Sequence, residues 1–396
     1  MKYKILSIIL FFLSVNSFAQ LDFYCNNEVT VGAEKTEDYL DLLKNKRVAV
    51  VANQSSMIWN THLVDSLLSL KINIKKVFSP EHGFRGKADA GEKVKSGIDL
   101  KTRLQIISLY GSNKKPKAEQ LKDVDVLIFD IQDVGARFYT YISTLHYVME
   151  ACAENNVELI ILDRPNPNGH YVDGPILDLK YKSFIGMHKV PVVHGMTIGE
   201  YAKMIYGEKW VVAEGLNFKV VTCDGWDHAK YYKLPINPSP NLPSMASIYL
   251  YPSLCFFEGT IVSIGRGTDF PFQVVGHPNF KDGSYEFIPK PTGGAKNPKL
   301  KDENCKGVFL PVIGINVLQQ HKQLQLSWLI DFYKGLNVGG RFFLKSNFIN
   351  LLAGSSALME QILLGKTETE IRATWVDGLK EYKLIRKKYL LYKDFE

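Results

Sequence analysis

The chain has 396 residues, of which 46% are hydrophobic and 22% are charged, a balance typical of a globular protein with about two domains. Its formal net charge of +7 is mild and spread along the chain, which argues against a nucleic-acid-binding protein. The five cysteines leave at least one unpaired and show neither a CxxC motif nor the spacing of a metal site.

The first 19 residues have the pattern of a cleavable signal peptide. Lys2 and Lys4 precede an apolar run over residues 5–15, and Ala19 ends a small-residue cleavage site. The run is about half the ~20 residues that a membrane-spanning helix needs, and no later stretch is long and apolar enough. We therefore expect export without stable membrane insertion, and removing 19 residues leaves a mature chain of 377 residues.

Apolar runs typical of strands alternate with helical patterns through the first half of the chain. Strands are predicted over residues 47–52, 72–78, 105–110, 124–129 and 157–162, and helices over 61–70, 139–154 and 198–206. Nearly continuous apolar strands separated by helices predict an α/β fold with a parallel sheet covered on both faces. Ligands in such folds bind beyond the carboxyl ends of the strands, where most of the polar clusters lie.

The sequence changes character near residue 245, where we place a boundary between a domain of residues 20–245 and one of residues 246–396. A Lys-, Pro- and Gly-rich stretch over 289–306 predicts an exposed loop. A strand-like run over 308–317 precedes helical patterns over 324–333, 355–364, 368–375 and 378–389. We therefore expect a smaller α+β domain after the α/β domain.

The first chemically promising cluster follows the second predicted strand and contains Glu81, His82, Arg85 and Glu92. Glycines at 83, 86 and 91 allow tight turns that could direct these side chains into one cleft. Two carboxylates in one loop suit acid and base roles, because their environments can separate their pKa values. The alternative is that both glutamates only form ion pairs with Arg85 and Lys87.

Two further clusters follow the next strands. The turn before the long helix carries Asp133, Arg137, Tyr139 and Tyr141, and aromatic rings with Asp and Arg suit a sugar ligand. The alternative is that Asp133 caps the helix and the aromatics, Tyr141 above all, belong to the core. The loop after the fifth strand, residues 163–169, is stiffened by two prolines and carries Arg164 and Asn166.

Other motifs are weaker or absent. Thr197 and Glu200 fit a capping box, which leaves His194 as a weak candidate. Residues 238–243 (PSPNLP), with 258–260 and 265–268, predict a rigid crossing of the domain junction. The sequence lacks GxGxxG after the first strand, GxxxxGK[ST], HExxH and GxSxG, and a metal on Glu81, His82 and Asp133 would not have diagnostic spacing. We expect no cofactor and no metal.

The order of several runs resembles the exo-β-N-acetylmuramidase (NamZ) family from about residue 53 to residue 389. These runs are SPEHGFRGKADAGEKV, FDIQDVGARFYTYISTL, LDRPNPNG, GPIL, HGMTIGEYA, PSPNLP, FEGT and GRGT. The resemblance implies a Rossmann-like catalytic domain, a smaller C-terminal auxiliary domain and a cleft between them. It also implies release of terminal N-acetylmuramic acid from the non-reducing ends of peptidoglycan fragments, either muropeptides or disaccharides. Together with the signal peptide, it favours the periplasm.

The resemblance also implies roles for individual residues. Glu92 and Glu81 are the leading catalytic carboxylates and Asp133 is the third. The residues that would line the sugar site are His82, Arg137, Tyr139, Arg164, Asn166, Asn241 and Arg266. An arginine could bind the lactyl carboxylate of the substrate through two parallel hydrogen bonds.

The mechanism stays open among retaining, inverting and substrate-assisted routes. Our hypothesis is the substrate-assisted route, with Glu92 as the acid. The competing interpretations are a non-catalytic periplasmic sugar-binding protein with the same cleft, and an esterase or amidase that acts on the same polymer. The two acids in one loop argue against the former, and the absence of a nucleophile motif argues against the latter.

Overall fold

The structure is a computed structural model and describes residues 24, 28–81, 83–85, 96–212 and 214–396. The predicted signal peptide, His82 and Glu92 therefore lie outside the described residues. Within the described part, no helix is both long and apolar enough to cross a membrane.

A seven-stranded sheet forms the centre of the first half. The strands of this half are β1 (Val48–Ala52), β2 (Met57–Ile58), β3 (Thr61–His62), β4 (Ile74–Ser79), β5 (Gly97–Ile98), β6 (Gln105–Ser108), β7 (Val126–Asp130), β8 (Glu158–Leu162) and β9 (Phe218–Val221). The sheet order is β5-β6-β4-β1-β7-β8-β9, and every neighbouring pair except β5–β6 is parallel. All residues of β1 and β7 are buried, as expected of parallel strands with both faces covered. The predicted α/β fold is confirmed.

Helices lie before and between the strands of the first half along the chain. They are α1 (Leu40–Leu43), α2 (Leu63–Ser69), α3 (Ala118–Leu121), α4 (Tyr141–Glu154) and α5 (Ile198–Gly207). Helix α5 begins with the predicted capping box, in which Thr197 accepts from the Glu200 amide and Glu200 accepts from the Thr197 amide. Short 3₁₀ helices cover Gly32–Glu34, Thr36–Asp38 and Leu179–Tyr181.

The second half contains a small antiparallel sheet and further helices. Strands β10 (Val274–His277), β11 (Tyr285–Phe287) and β12 (Cys305–Phe309) pair in the order β10-β12-β11. The helices are α6 (Met245–Leu254), α7 (Ile315–Gln320), α8 (Ser327–Leu336), α9 (Phe348–Ala353), α10 (Ala357–Leu363), α11 (Glu368–Ala373) and α12 (Val376–Arg386). Further 3₁₀ helices cover Cys255–Gly259, Leu310–Ile313 and Gly339–Phe342.

The strand predicted over 308–317 is wrong beyond Phe309. There the chain turns into the 3₁₀ helix Leu310–Ile313 and then into α7. Pro311 has no N–H to donate to a ladder, and Gly314 adopts a positive φ of 82°, so the apolar run cannot continue as a strand. The predicted loop is irregular up to residue 304, while Cys305 and Lys306 belong to β12.

The C-terminal segment packs back on the first half. The Tyr382 hydroxyl donates to the His194 carbonyl at 2.8 Å, and Arg386 Nε donates to the Gly195 carbonyl at 2.9 Å. Farther along, the Tyr392 hydroxyl donates to Asp163 Oδ2 at 2.6 Å. All three bonds are made with the segment between β8 and α5.

Candidate active site

A cleft that is partly open to solvent lies beyond the carboxyl end of β4. It is lined by residues of both halves of the chain: Glu81, Phe138, Tyr139, Thr140, Tyr141, Ser239, Asn241, Leu242, Tyr251, Arg266 and Phe272. Its position agrees with the rule that α/β sheets bind ligands beyond the ends of their parallel strands.

Among the described residues that line the cleft, Glu81 is the only carboxylate, two residues after β4 ends. Thr140 Oγ1 donates to its Oε2 at 3.2 Å. Burial raises the pKa of Tyr110, and the Glu81 carboxylate to which its phenol hydrogen-bonds raises it further. Burial and Glu81 likewise raise the pKa of Tyr141. Two hydroxyl donors therefore orient this half-buried carboxylate, an arrangement that suits its ionised, acceptor-only form.

Aromatic rings form one wall of the cleft. Tyr139 lies edge-on to Tyr141 at 4.8 Å between centroids and to Tyr251 at 5.7 Å, and Tyr251 lies edge-on to Phe272 at 4.9 Å. The hydroxyl of Tyr139 is fixed by the Pro238 carbonyl at 2.9 Å. Tyr139 lines the cleft, and its role at a sugar site stays a prediction. Tyr141 is 1% exposed, so it belongs to the core as predicted while also lining the cleft.

Asn241 also lines the cleft, and its side chain joins the two halves of the chain. Its Nδ2 donates to the Gly294 carbonyl of the second half at 2.6 Å. From the first half, Gln54 Nε2 donates to the Pro238 carbonyl at 3.0 Å, so the loop around Asn241 is held from both sides. This agrees with the rigid junction that residues 238–243 predict.

Arg266 comes to the cleft from the turn before β10. Its Nε and Nη2 both donate to Glu258 Oε1, at 2.8 and 2.6 Å. The turn needs glycine beside it, because Gly265 has φ 78° and a Cβ there would lie 2.5 Å from Val274 Cγ2. Arg266 thus lines the cleft, and its partner Glu258 was not predicted from the sequence.

Arg164 lies outside the cleft. It is 4% exposed, and its Nε and Nη2 bind the two carboxylate oxygens of Asp130 at 2.6 and 2.9 Å. Nη2 also donates to the Met57 carbonyl at 2.8 Å. The structure places this arginine in a buried ion pair that joins β7 to β8, rather than in a sugar site.

Arg137 and Asn166 are also interior residues. The Arg137 guanidinium donates to the carbonyls of Pro175, Val190 and Leu352, so it ties the first half to the second. Asn166 accepts from the Asn168 amide at 2.9 Å and donates to the Met196 carbonyl at 2.9 Å. Neither side chain lines the cleft, and backbone groups bind their polar atoms in the interior, apart from Arg137 Nε.

Asp133 lies beneath the turn before α4 and is 3% exposed. Its Oδ2 accepts from the Gly135 amide at 2.7 Å and lies 3.6 Å from His194 Nε2. His194 Nδ1 accepts from the Met196 amide at 3.3 Å, which leaves Nε2 on the side that faces Asp133. Asp133 therefore neither lines the cleft nor caps α4, whose N-cap residue is Thr140.

Arg85, the described cation of the first cluster, has aspartates as partners. Its guanidinium binds Asp99 at 2.8 Å and approaches Asp65 at 3.6 Å. The ion pairs that the structural alternative assigns to Lys87 and Glu92 lie outside the described residues, so that alternative stays open. Across the described ranges there is no group of three or more His, Cys, Asp and Glu side chains that could hold a metal.

Models of one protein family match both halves of the chain. The model described as Exo-beta-N-acetylmuramidase NamZ, N-terminal, matches residues 48–246, and the C-terminal model of the same description matches residues 249–392. The chain belongs to the NamZ family. The two matched parts of this NamZ chain meet at the cleft, where Glu81 and Tyr139 come from the first part and Tyr251 and Arg266 from the second.

Relatives and solved structures agree with the NamZ assignment. The peptidoglycan beta-N-acetylmuramidase NamZ of Bacillus subtilis (strain 168) is 38% identical over 375 residues, which is 90% of this chain and 89% of the relative. Crystal structures of two DUF1343 family proteins from Bacteroides fragilis NCTC 9343 superpose with TM-scores of 0.85 and 0.79, at 48% and 29% identity. Each match covers 92% of this chain and 99% of the other chain.

Sequence reasoning missed several lining residues of the NamZ cleft. Tyr251 lies within an apolar helix and Phe272 within a turn-rich stretch, so neither carries a polar signal. Thr140 was not predicted as a site residue, although its hydroxyl lies next to the strand-end cluster in the sequence.

Proposed function

We propose that the protein is an exo-β-N-acetylmuramidase, a glycoside hydrolase that releases terminal N-acetylmuramic acid from the non-reducing ends of peptidoglycan fragments. The observation that carries this proposal is the position of Glu81, an oriented carboxylate in a cleft lined by both NamZ-matched parts. Glycoside hydrolysis needs carboxyl groups at the scissile bond, and aromatic walls suit a sugar ring.

Glu81 and Glu92 are the proposed catalytic pair. In the substrate-assisted route, one carboxylic acid protonates the leaving oxygen while a second carboxylate orients the acetamido group that attacks the anomeric carbon. Because Thr140 and Tyr110 donate to Glu81, this carboxylate suits the orienting role. Glu92 is the proposed acid, which protonates the departing sugar and then accepts a proton from the incoming water.

The test uses a chromogenic glycoside of N-acetylmuramic acid. We expect wild-type turnover, loss of turnover in Glu92→Gln, and a first product of retained anomeric configuration by NMR. Near-full turnover by Glu92→Gln would contradict the acid assignment, and an inverted product would contradict the substrate-assisted route. Tight binding without turnover would instead identify a sugar-binding protein, and a product that has lost only an acyl or peptide group would identify an esterase or amidase.

We also propose that the protein acts in the periplasm after signal-peptide cleavage. The support is the charge and apolar pattern of residues 1–19 together with a proposed substrate that lies outside the cytoplasm. N-terminal sequencing of the protein from a periplasmic fraction should begin at Gln20. A cytoplasmic protein that retains Met1 would contradict this proposal.

A further inference from the structure

Among the described residues that line the cleft, Arg266 is the only cationic side chain. The other two arginines expected at a sugar site lie in the interior, where Arg137 binds three carbonyls and Arg164 binds Asp130. In the described part of the cleft, Arg266 is therefore the cation that could bind a negatively charged ligand.

Glu258 and Phe272 fix the guanidinium of Arg266, but Glu258 binds only some of its N–H donors. One edge, formed by Nε and Nη2, donates to Glu258 Oε1. The guanidinium carbon also lies 4.9 Å from the centre of the Phe272 ring, which restricts its tilt. A guanidinium carries five N–H donors, so the two donors of Nη1 and the second donor of Nη2 remain directed away from Glu258.

These remaining donors have the geometry of a carboxylate site. Nη1 and Nη2 together form the end of the guanidinium fork, which binds both oxygens of a carboxylate in parallel. Among the described residues, Glu258 is the only hydrogen-bond partner of the Arg266 side chain, which is 25% exposed. The end of the fork is thus available from the cleft, while the Glu258 contact holds the arginine in one orientation.

The local charge also favours an anion. Lys299 is held by the carbonyls of Phe257 and Thr260, at 3.0 and 2.5 Å, and interacts electrostatically with both Glu258 and Arg266. Burial lowers the pKa of Lys299 to about 8, so its ammonium is still mostly charged at neutral pH. Glu258 therefore has two cations beside it, Arg266 and Lys299, so its single negative charge does not cancel theirs.

We propose that Arg266 is the specificity-determining residue that binds the lactyl carboxylate of N-acetylmuramic acid through Nη1 and Nη2, an inference that rests on the proposed function. N-acetylglucosamine has the same ring and acetamido group but lacks the lactyl ether. Arg266 would therefore select the muramic ring, while Glu81 acts on the anomeric side that both sugars share.

The test is a cycle of two enzymes and two substrates. Wild type and Arg266→Gln are each assayed for kcat/KM on the chromogenic N-acetylmuramic acid glycoside and on its lactyl methyl ester, which cannot accept a charged bidentate contact. We expect wild type to prefer the acid by roughly 10- to 100-fold, the range for a charge-assisted hydrogen-bonded pair. In Arg266→Gln that preference should fall to about 3-fold or less, mainly through KM on the acid. Equal losses on both substrates, or an unchanged preference, would overturn the proposal.

Two variants control the cycle. Arg47→Gln removes an arginine that likewise binds an aspartate, Asp125, through Nε and Nη2, but lies outside the cleft. This variant should keep the wild-type preference, and loss of the preference there would contradict a role specific to Arg266. Arg266→Lys keeps the charge beside Glu258 and serves if Arg266→Gln does not fold. Its preference should be intermediate because an ammonium is a point charge, and a full wild-type preference would overturn the bidentate contact.

Failure of the proposed function gives a different result. If wild type cleaves neither glycoside, the hydrolase proposal fails, and calorimetry with free N-acetylmuramic acid and N-acetylglucosamine then tests Arg266 alone. Preferential binding of the acidic sugar that Arg266→Gln abolishes would support the contact. Equal binding of the two sugars by wild type would overturn it.

Discussion

The carboxyl edge of the central sheet has an open part and a closed part. After β4 the chain places Glu81 in a cleft that solvent reaches. After β7 and β8, Asp130, Asp163 and Arg164 are at most 4% exposed, because the loops beyond them and the C-terminal segment cover them. The same strand-end position therefore produces a candidate catalytic group in one place and a structural ion pair in the other.

The open part should respond in activity rather than in stability. Glu81→Gln keeps the shape of the side chain but removes its charge, so we expect kcat on the muramic glycoside to fall about 10²- to 10⁴-fold. The free energy of unfolding in urea should change by less than about 1 kcal/mol, because the residue is half-buried. If the variant keeps its activity but loses much of its stability, Glu81 has a structural rather than a catalytic role.

The closed part should respond in stability rather than in activity. Asp130→Asn leaves the Arg164 guanidinium buried without its charged partner, which we expect to lower the free energy of unfolding by about 3–5 kcal/mol. At a temperature where the variant is folded, kcat should stay near wild type. A catalytic defect in a variant of normal stability would place this pair in the active site after all.

Acid should weaken the closed part through its buried histidines. Burial lowers the pKa of His170 from 6.5 to about 4, so the folded state binds fewer protons than the unfolded state between these values. Its contribution to stability is therefore present above pH 6.5 and lost as pH falls toward 4, by roughly 3 kcal/mol.

The matched variant is His170→Phe, measured by urea unfolding across this pH window. Burial also lowers the pKa of His146 to about 4, so some acid sensitivity should remain in the variant. The loss of stability between pH 6.5 and 4 should nevertheless be smaller than in wild type. An identical pH dependence would contradict a neutral, buried His170.

The smallest expected effect concerns the hydroxyl that orients Glu81. Thr140→Val removes one hydrogen bond of ordinary strength, so kcat should fall about 3- to 10-fold. Thr140→Ser keeps the hydroxyl and should lie close to wild type. If both variants behave alike, the hydrogen bond does not contribute to catalysis.

The strands of the sheet could be predicted because burial on both faces requires apolar runs such as VAVVA and VLIFD. Strand β9 (FKVV) was missed because it is short and only Val221 in it is fully buried. The strand expected over 308–317 failed because apolar content alone does not show where Pro311 and Gly314 end the ladder.

The cleft was predictable only in part. A glutamate after a buried strand predicts a site beyond the sheet, and Glu81 is there. Arg137 and Arg164 share that signal, yet the segments that cover them come from distant parts of the chain, which sequence spacing does not reveal. Tyr251 and Phe272 reach the cleft through tertiary packing of the second half.

Mass spectrometry on two disaccharides tests whether the protein removes N-acetylmuramic acid from the non-reducing end. In one, N-acetylmuramic acid is at the non-reducing end and N-acetylglucosamine at the reducing end, and in the other the order is reversed. We expect wild type to release free N-acetylmuramic acid from the first only, and Glu81→Gln to release none above background. Cleavage of the second disaccharide alone, or undiminished release by Glu81→Gln, would contradict this expectation.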